Sequence, residues 1–147
     1  MSKLPVKIFG TGVYLPSRLI TSATLEKELG YCPGEFKKAS GVNQRYYAQN
    51  ETSTEMGAIA AERALATSQI KRDEIDAIIS VSAVPQQAVP TNAALIHQKL
   101  GLRESAVAFD INATCLSFLT GLFCTGNLIS ISLVFKPSPS GGIVFSI

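Results

Sequence analysis

The apolar and polar positions of this chain change their period several times, and the changes predict alternating strands and helices. Residues 6–14, residues 76–84 and the segment from Ala106 to Ile111 are short apolar runs rich in β-branched and aromatic residues, which predicts three strands. The second and third runs are almost continuously apolar, as in strands buried on both faces of a parallel sheet. Residues 43–48 are either a further strand or an extended loop, and 143–147 form another candidate strand.

Helical patterns separate these runs. Helices are predicted over 21–29, 52–68 and 92–100, and a glycine directly follows the first and the last of them. Residues 34–40 are expected to form one or two further helical turns. The alanines of 52–68 give that helix small faces suited to close packing. The alternation predicts an α/β fold with a mixed, mostly parallel sheet and packed helices.

A further helix is predicted to carry Cys115 directly after the strand at 106–111. Leu116, Leu119 and Phe123 recur there at the spacing i, i+3, i+7. Beyond this helix the pattern is ambiguous. Residues 128–135 either extend the helix or form a strand, and the segment KPSPSGG that follows is typical of a turn or loop.

Charge falls away toward the C-terminus. Charged residues make up 16% of the chain, against about 25% in an average protein. All eleven acidic residues lie at or before Asp110, and residues 111–135 carry no charge. That window is long enough for a membrane span. Its glycines, asparagines and hydroxyl residues favour the alternative, a buried helix followed by a buried strand, so no membrane span is expected.

The composition argues against several classes of protein. The net charge is +2 and no basic cluster is present, so binding to nucleic acid is not expected. The chain has three cysteines, one histidine and no C-x-x-C, so we expect no metal site. An odd number of cysteines and the absence of a secretory signal fit a reduced, cytoplasmic protein.

Cys115 is the candidate nucleophile because of where the pattern places it. A cysteine at a strand-to-helix turn faces the N–H groups of the first helical turn, and the helix dipole adds partial positive charge there. Both effects favour the thiolate, which is the reactive form of cysteine. The alternative from position alone is a small buried hydrophobe, the usual role of a free cysteine. Cys124 falls in mid-helix, where the dipole gives no such help.

Four stretches of the chain carry a family resemblance. They are GTGVYLPSRLIT at 10–21, ETSTEMGAIAAERAL at 51–65, IDAIISVSAVPQQAVPTNAALIHQKLGL at 75–102 and AFDINATCLSFLTGL at 108–122. Together they resemble the N-terminal half of β-ketoacyl-acyl carrier protein synthase III, in the thiolase-like superfamily. The last stretch is the most specific, because in that family it carries the cysteine that becomes acylated.

The resemblance implies a thiolase-like fold and an acyltransferase that forms carbon–carbon bonds in fatty-acid or related biosynthesis. In the family the cysteine accepts an acyl group, and a decarboxylated malonyl-carrier thioester then attacks the acyl-enzyme. Cys115 would be the catalytic residue, with acyl-coenzyme A or an acyl-carrier thioester as substrate and no permanently bound cofactor. The family's catalytic histidine and asparagine lie in the C-terminal half, so this chain alone is expected not to complete the condensation.

Other positions depart from the family pattern. Phe36 takes the place of a tryptophan that stacks on the nucleotide, and no arginine precedes Ser40, which leaves coenzyme A or a carrier protein open as donor. Val89 stands where a bulkier aromatic often gates the acyl pocket of the partner subunit, and a smaller residue would admit a longer or branched chain. His97 and Asn112 do not match the catalytic residues, so we expect a helix-surface histidine and an asparagine that hydrogen-bonds the local turn.

The resemblance also divides the chain. Residues 1–126 would be a thiolase-like half-domain and residues 127–147 a divergent tail, which a shifted reading frame or a truncated gene would explain; a genuine short variant is the alternative.

The strand at 106–111 would pair with its twin in a homodimer or cause aggregation. Acyl carrier protein and a separately encoded C-terminal half are the other partners considered. The rival interpretations are a non-catalytic acyl-binding or interaction module and a thiolase-like synthase of another pathway.

Overall fold

The computed structural model describes residues 6–131 and 142–146. The chain divides into two compact units. Residues Leu15–Thr52 form the smaller unit, and the segments before and after them form the larger one.

The smaller unit contains two strands and two short helices. Strands β1 (Arg18–Thr21) and β2 (Gln44–Tyr47) pair antiparallel, and helices α1 (Ser22–Leu29) and α2 (Glu35–Ser40) lie between them in sequence. Thr21 begins α1 because its Oγ1 accepts the N–H of Thr24 at 3.1 Å. These four elements confirm the predicted helices at 21–29 and 34–40 and the strand alternative for 43–48.

The larger unit contains a parallel sheet and three helices. Its elements in chain order are α3 (Ser53–Ser68), β3 (Ile75–Ser80), α4 (Asn92–Leu100), β4 (Val107–Asp110), α5 (Ser117–Ile131) and β5 (Gly142–Ser146). The described strands have the order β4-β3-β5 and all run parallel. Ile78 and Ile79 point to opposite faces of β3 and are both fully buried, so both faces of the central strand are covered.

The α/β prediction is confirmed, with one difference in the sheet. The described strands form a parallel sheet of three and a separate antiparallel pair, where one mixed sheet was expected. Strand β4 lies at an edge of the parallel sheet. Helices α3 and α4 pack on each other and on this sheet. The core that they enclose consists of Ala58, Ala61, Ile75, Ile78, Ala93, Ile96, Leu100, Leu102, Ala106 and Val144.

The prediction of a strand over residues 6–14 is wrong. This segment crosses the small face of α3, so closely that a Cβ on Gly12 would come within 2.0 Å of the Ala60 carbonyl oxygen. Side chains of α3 bond its carbonyls: Arg63 Nη1 donates to Val13 O at 2.5 Å and Thr67 Oγ1 to Thr11 O at 3.3 Å. The residues favour a strand, but the backbone contacts a helix and makes no strand ladder.

The C-terminal segment agrees with its prediction in part. The helix alternative for the start of 128–135 is confirmed, because α5 continues through the proposed boundary at 126 to Ile131. The strand predicted at 143–147 is present as β5 and pairs with β3. The loop predicted at 136–142 lies mostly outside the described residues. The division of the chain into a half-domain and a divergent tail stays a prediction.

Candidate active site

Cys115 lies just beyond the carboxyl end of β4. The chain leaves the sheet after Asp110, makes a turn and enters a 3₁₀ turn (Thr114–Leu116) that leads directly into α5. The thiol is exposed. The sequence predicted Cys115 at a strand-to-helix turn, at the N-terminus of the helix; the structure places it in the 3₁₀ turn that leads into α5. The cysteine is therefore accessible at the edge of the sheet where α/β folds bind their ligands.

The backbone of this turn is strained and held in place. Thr114, directly before the cysteine, has a φ of +50°, in the left-handed region that β-branched residues rarely occupy. Ser117 Oγ holds the turn from one side, because it accepts the N–H of Ala113 at 2.9 Å and donates to Thr114 O at 2.7 Å. Such strain persists only where the surroundings enforce it, and it concentrates at functional sites.

Asn112 holds the same turn from the other side. Its Oδ1 accepts the N–H of Thr114 at 3.1 Å, which confirms the predicted hydrogen bond to the local turn. Its Nδ2 donates to Ala83 O at 2.9 Å, in the loop that connects β3 to α4. One side chain thus joins the cysteine turn to a loop 29 residues earlier in the chain.

A polar network supports this end of the sheet. The two carboxylate oxygens of Asp110 accept the N–H groups of Asn92 and Ala93 at 2.9 and 2.8 Å, at the start of α4. The N-terminus of a helix favours negative charge, so this contact is a stabilising one. Asn92 Oδ1 in turn accepts the N–H of Gln86 at 2.9 Å, and Gln86 Oε1 accepts Thr54 Oγ1 at 2.8 Å.

Large apolar side chains are exposed on the segments around the cysteine. Leu116, Leu119 and Phe123 each have an exposed fraction of about 60%. Their helical spacing, which usually marks a buried stripe, here marks an open one. Val89, the predicted pocket residue, is 83% exposed on the β3–α4 loop, and Val84 of the same loop is 71% exposed. The pocket role of Val89 stays a prediction.

The remaining candidates lie elsewhere. Cys124 is half-buried in the middle of α5, as predicted, and Cys32 is exposed in the smaller unit. His97, on α4, has its Nε2 3.1 Å from Arg103 O. Arg103 bonds the first residue of β3. His97 therefore belongs to the amino end of the sheet, and Cys115 follows the carboxyl end.

Phe36 lies in the smaller unit beside two residues that the sequence did not single out. The Tyr31 ring centroid is 4.9 Å from the Phe36 centroid, and the Arg45 guanidinium is 5.9 Å from it. Arg45 also donates to Ser22 Oγ at 3.0 Å. The buried carboxylate of Glu26 accepts the N–H of Phe36 at 2.7 Å and fixes the start of α2. No arginine directly precedes Ser40, and Arg45 of β2 places a guanidinium over the Phe36 ring.

The sequence also missed Asp110, Asn92 and Ser117 as supports of the site. A signal was present for Asp110, because an acidic residue at the end of a buried apolar strand needs donors. For Ser117, the spacing of three residues from Thr114 is typical of a hydroxyl that bonds a preceding carbonyl.

The part of the chain that the structure describes contains neither a cluster of metal ligands nor a helix suited to a membrane. In residues 6–131 and 142–146, no group of three or more His, Cys, Asp and Glu side chains is arranged to hold a metal ion. Within the same ranges, no helix has the length and hydropathy needed to cross a membrane.

Comparison with known proteins defines the class. No protein-family model matches the chain. It is 34% identical to β-ketoacyl-[acyl-carrier-protein] synthase III of Clostridium acetobutylicum over 117 residues, covering 80% of this chain and 36% of that protein. It is 31% identical to the Neisseria gonorrhoeae synthase III over 141 residues, covering 95% of this chain and 44% of that protein. The chain therefore spans less than half the length of these curated relatives.

The fold agrees with the sequence comparison. The structure superimposes on 3-oxoacyl-[acyl-carrier-protein] synthase III of Aquifex aeolicus with a TM-score of 0.80 and 33% identity, covering 86% of this chain and 41% of that one. The chain thus has a thiolase-like α/β fold with an exposed cysteine at the carboxyl end of its parallel sheet. In sequence and fold it is related to β-ketoacyl-[acyl-carrier-protein] synthase III, and the match fits an N-terminal portion of those proteins.

Proposed function

We propose that the chain supplies the acyl-accepting cysteine of a synthase III-like acyltransferase in fatty-acid or related biosynthesis. The observation that carries the proposal is the exposed Cys115 in a strained turn held by Asn112 and Ser117. The names of the relatives, which are β-ketoacyl-acyl carrier protein synthases, support the same reaction class. The three free cysteines are compatible with the reducing cytoplasm that we expect for the protein.

The proposed step is a thioester exchange. The Cys115 sulfur forms a bond to the carbonyl carbon of an acyl-thioester, and the bond from that carbon to the donor sulfur breaks. The donor, coenzyme A or acyl carrier protein, leaves as a thiolate that takes up the proton given up by the Cys115 thiol. Because the thioester is already activated, this step needs no bound cofactor. The covalent acyl-enzyme prepares the acyl group for a later condensation.

The condensation itself needs groups that the described site does not bring together. His97 is the single histidine of the chain, and it belongs to the opposite end of the sheet. We therefore propose that this chain accepts an acyl group but does not form a β-ketoacyl product by itself. We propose that the condensation needs a C-terminal half that carries a catalytic histidine and asparagine.

Acyl transfer is tested by mass spectrometry. The chain is incubated with acetyl-coenzyme A and, separately, with acetyl-acyl carrier protein, and the acylated peptide is identified. We expect acetyl on Cys115 and its loss in Cys115→Ser, with Cys32→Ser as the matched control for an exposed thiol. Acylation of Cys32 alone, or equal acylation in Cys115→Ser, contradicts the proposal. Formation of β-ketoacyl product from malonyl-carrier protein contradicts the second part.

The smaller unit is proposed to stack the nucleotide of the donor on Phe36. The Arg45 guanidinium over the same ring provides positive charge beside it. Phe36→Ala should then slow acyl transfer from acetyl-coenzyme A and leave transfer from the carrier protein unchanged, because only coenzyme A carries an adenine. Equal slowing with both donors would show that Phe36 acts through the fold.

Val89 and β4 are proposed to face a second copy of the chain. Strand β4 is an edge strand of the described sheet, and Val107 on it is 39% exposed. Light scattering across a tenfold dilution should show a dimer or larger species. A monodisperse species of 15.6 kDa at every concentration contradicts the homodimer. In an associating protein, Val89→Phe should shorten the longest acyl chain accepted.

The exposed apolar side chains favour one alternative, an acyl-binding module without catalysis. Leu119 and Phe123 offer an apolar surface that a fatty chain could contact. Such a module would bind a fluorescent fatty acid with equal affinity in the wild type and Cys115→Ser, and it would take no covalent acyl group.

A further inference from the structure

The loop between β3 and α4 is fixed at several points by side chains. Asn112 donates to Ala83 O at 2.9 Å from the cysteine turn. Asn92 accepts the N–H of Gln86 at 2.9 Å from the start of α4. Gln86 Oε1 accepts the N–H and the Oγ1 of Thr54 at 3.2 and 2.8 Å, at the start of α3. The loop position therefore depends on three different elements.

We propose that Asn112 is a positioning residue that couples this loop, residues 81–91, to the reactivity of Cys115. The relevance of this coupling to acyl transfer rests on the proposed function. The coupling itself requires only that a displacement of the loop changes the turn that carries the thiol, through the amide side chain of Asn112.

The planar amide of Asn112 makes this coupling direct. Its Nδ2 and Oδ1 are fixed to each other, and they bond Ala83 O on the loop and Thr114 N–H on the turn. If Ala83 moves, the amide either rotates with it, which displaces Oδ1 from Thr114, or loses its donor bond, which leaves Oδ1 less firmly held. Because Thr114 is held at an unfavourable φ of +50°, a weaker bond there allows the turn to relax.

The loop is also where an apolar group would act. Val84 and Val89 are 71% and 83% exposed, so a fatty acyl chain or an apolar surface can reach them. Val84 O lies next to Ala83 and is 3.5 Å from Asn92 Nδ2. An apolar group that packs against Val84 or Val89 would therefore displace the loop close to Ala83, the residue that Asn112 bonds. The structure thus assigns to this loop a route by which an acyl group affects the thiol.

The test is a double-mutant cycle with Cys115 alkylation as the readout. Gln86→Ala loosens the loop at the α3 contact. Asn112→Asp keeps the acceptor for Thr114 N–H and removes the donor to Ala83 O. The second-order rate of Cys115 alkylation by iodoacetamide is measured in each variant, relative to Cys32 in the same sample, which corrects for reagent and concentration.

We expect Gln86→Ala to change the relative rate by about threefold to tenfold, the effect of about one hydrogen bond. In the Asn112→Asp background the same substitution should change it less than about 1.5-fold, since the connection is already broken. Ser117→Ala is the matched control, because it weakens the same turn without contacting the loop. In that background the effect of Gln86→Ala should persist in full.

An equal effect of Gln86→Ala in the wild-type and Asn112→Asp backgrounds would overturn the proposal, as would no effect in the wild type. If Asn112→Asp does not fold, hydrogen exchange at the Thr114 amide decides. Faster exchange in Gln86→Ala than in the wild type supports the coupling, and unchanged exchange overturns it. Because alkylation needs no acyl donor, the coupling can succeed or fail independently of the proposed acyl transfer.

Discussion

The two ends of the parallel sheet use polar side chains in different ways. At the amino end, two arginines each bond an acidic side chain and a backbone carbonyl. Arg72 makes a bidentate ion pair with Glu62, at 2.5 and 2.7 Å, and also bonds the last carbonyl of α4. Arg103 pairs with Asp76 and donates to the first carbonyl of β3. Each of these two arginines therefore has an acidic partner and also donates a hydrogen bond to a backbone carbonyl.

At the carboxyl end, the polar side chains hold backbone groups around an exposed cysteine. Asp110 and Asn92 bond the N–H groups of α4 and of the loop before it. Asn112 and Ser117 hold the strained turn. The thiol of Cys115 remains exposed among them.

The difference indicates which end is functional. Ion pairs between exposed side chains and carbonyls at helix ends stabilise a fold modestly and need no ligand. A strained turn costs stability and an exposed thiol adds none, so both features are typical of a site kept for function. The carboxyl end is also the end where crossovers in open α/β sheets leave a crevice for a ligand.

The largest expected effect is at the carboxyl end. Asp110→Ala removes both acceptors at the start of α4 and should lower the free energy of unfolding by about 2–4 kcal/mol, because charge-assisted bonds to a helix N-terminus are among the stronger ones. Urea denaturation followed by circular dichroism measures it. Asp110→Asn, which keeps one acceptor, should lose clearly less. A loss under about 0.5 kcal/mol in Asp110→Ala would mean that water replaces the carboxylate.

A smaller effect is expected at the amino end. The Arg103 side chain is 43% exposed, so solvent screens its ion pair with Asp76. Arg103→Ala should lower the free energy of unfolding by about 1 kcal/mol, mainly through the lost bond to the Ile75 carbonyl. The alkylation rate of Cys115 should not change. Asp76→Asn is the control for the ion pair alone. A change in Cys115 reactivity in either variant would break the separation between the two ends.

Local signals in the sequence were sufficient for most of the fold. Both ends of α4 follow from local residues, because the Thr91 N-cap oxygen and the left-handed Gly101 each act within one turn of the helix. The apolar run at 76–84 predicted β3, although the strand ends at Ser80. The strand prediction for residues 6–14 was wrong, because the composition of this segment carries no information about the helix that it crosses.

The candidate site divides in the same way. Cys115 was found because its position after a buried strand, and the family motif around it, are both local in sequence. The support from Asn112 to Ala83 spans 29 residues, and that from Asp110 to Asn92 spans 18. Such contacts follow from how the strands and helices pack, which no short pattern encodes. Arg45 over Phe36 was missed because the family pattern has its arginine before Ser40, and Arg45 follows Ser40.

The smallest predicted effect compares one left-handed residue at each end of the sheet. Gln69 has a φ of +63° and directly follows α3, a position where helices often end in this conformation. Thr114 has a φ of +50° in the cysteine turn and is β-branched, which makes the same region less favourable. The strain should therefore be larger at the carboxyl end.

Glycine and alanine substitutions measure that strain. Both remove the side chain beyond Cβ, and only glycine removes the left-handed penalty. Thr114→Gly should be more stable than Thr114→Ala by about 1 kcal/mol, and Gln69→Gly should exceed Gln69→Ala by a similar amount, since the penalty arises at Cβ. The wild type should be less stable than Thr114→Ala. This difference should exceed the difference between the wild type and Gln69→Ala by a few tenths of a kcal/mol, because threonine is β-branched and glutamine is not. Thermal unfolding of the wild type and these four variants gives both differences. If alanine is the more stable substitution at 114 but not at 69, the cysteine turn is not left-handed in solution, and the strain assigned to the carboxyl end is absent.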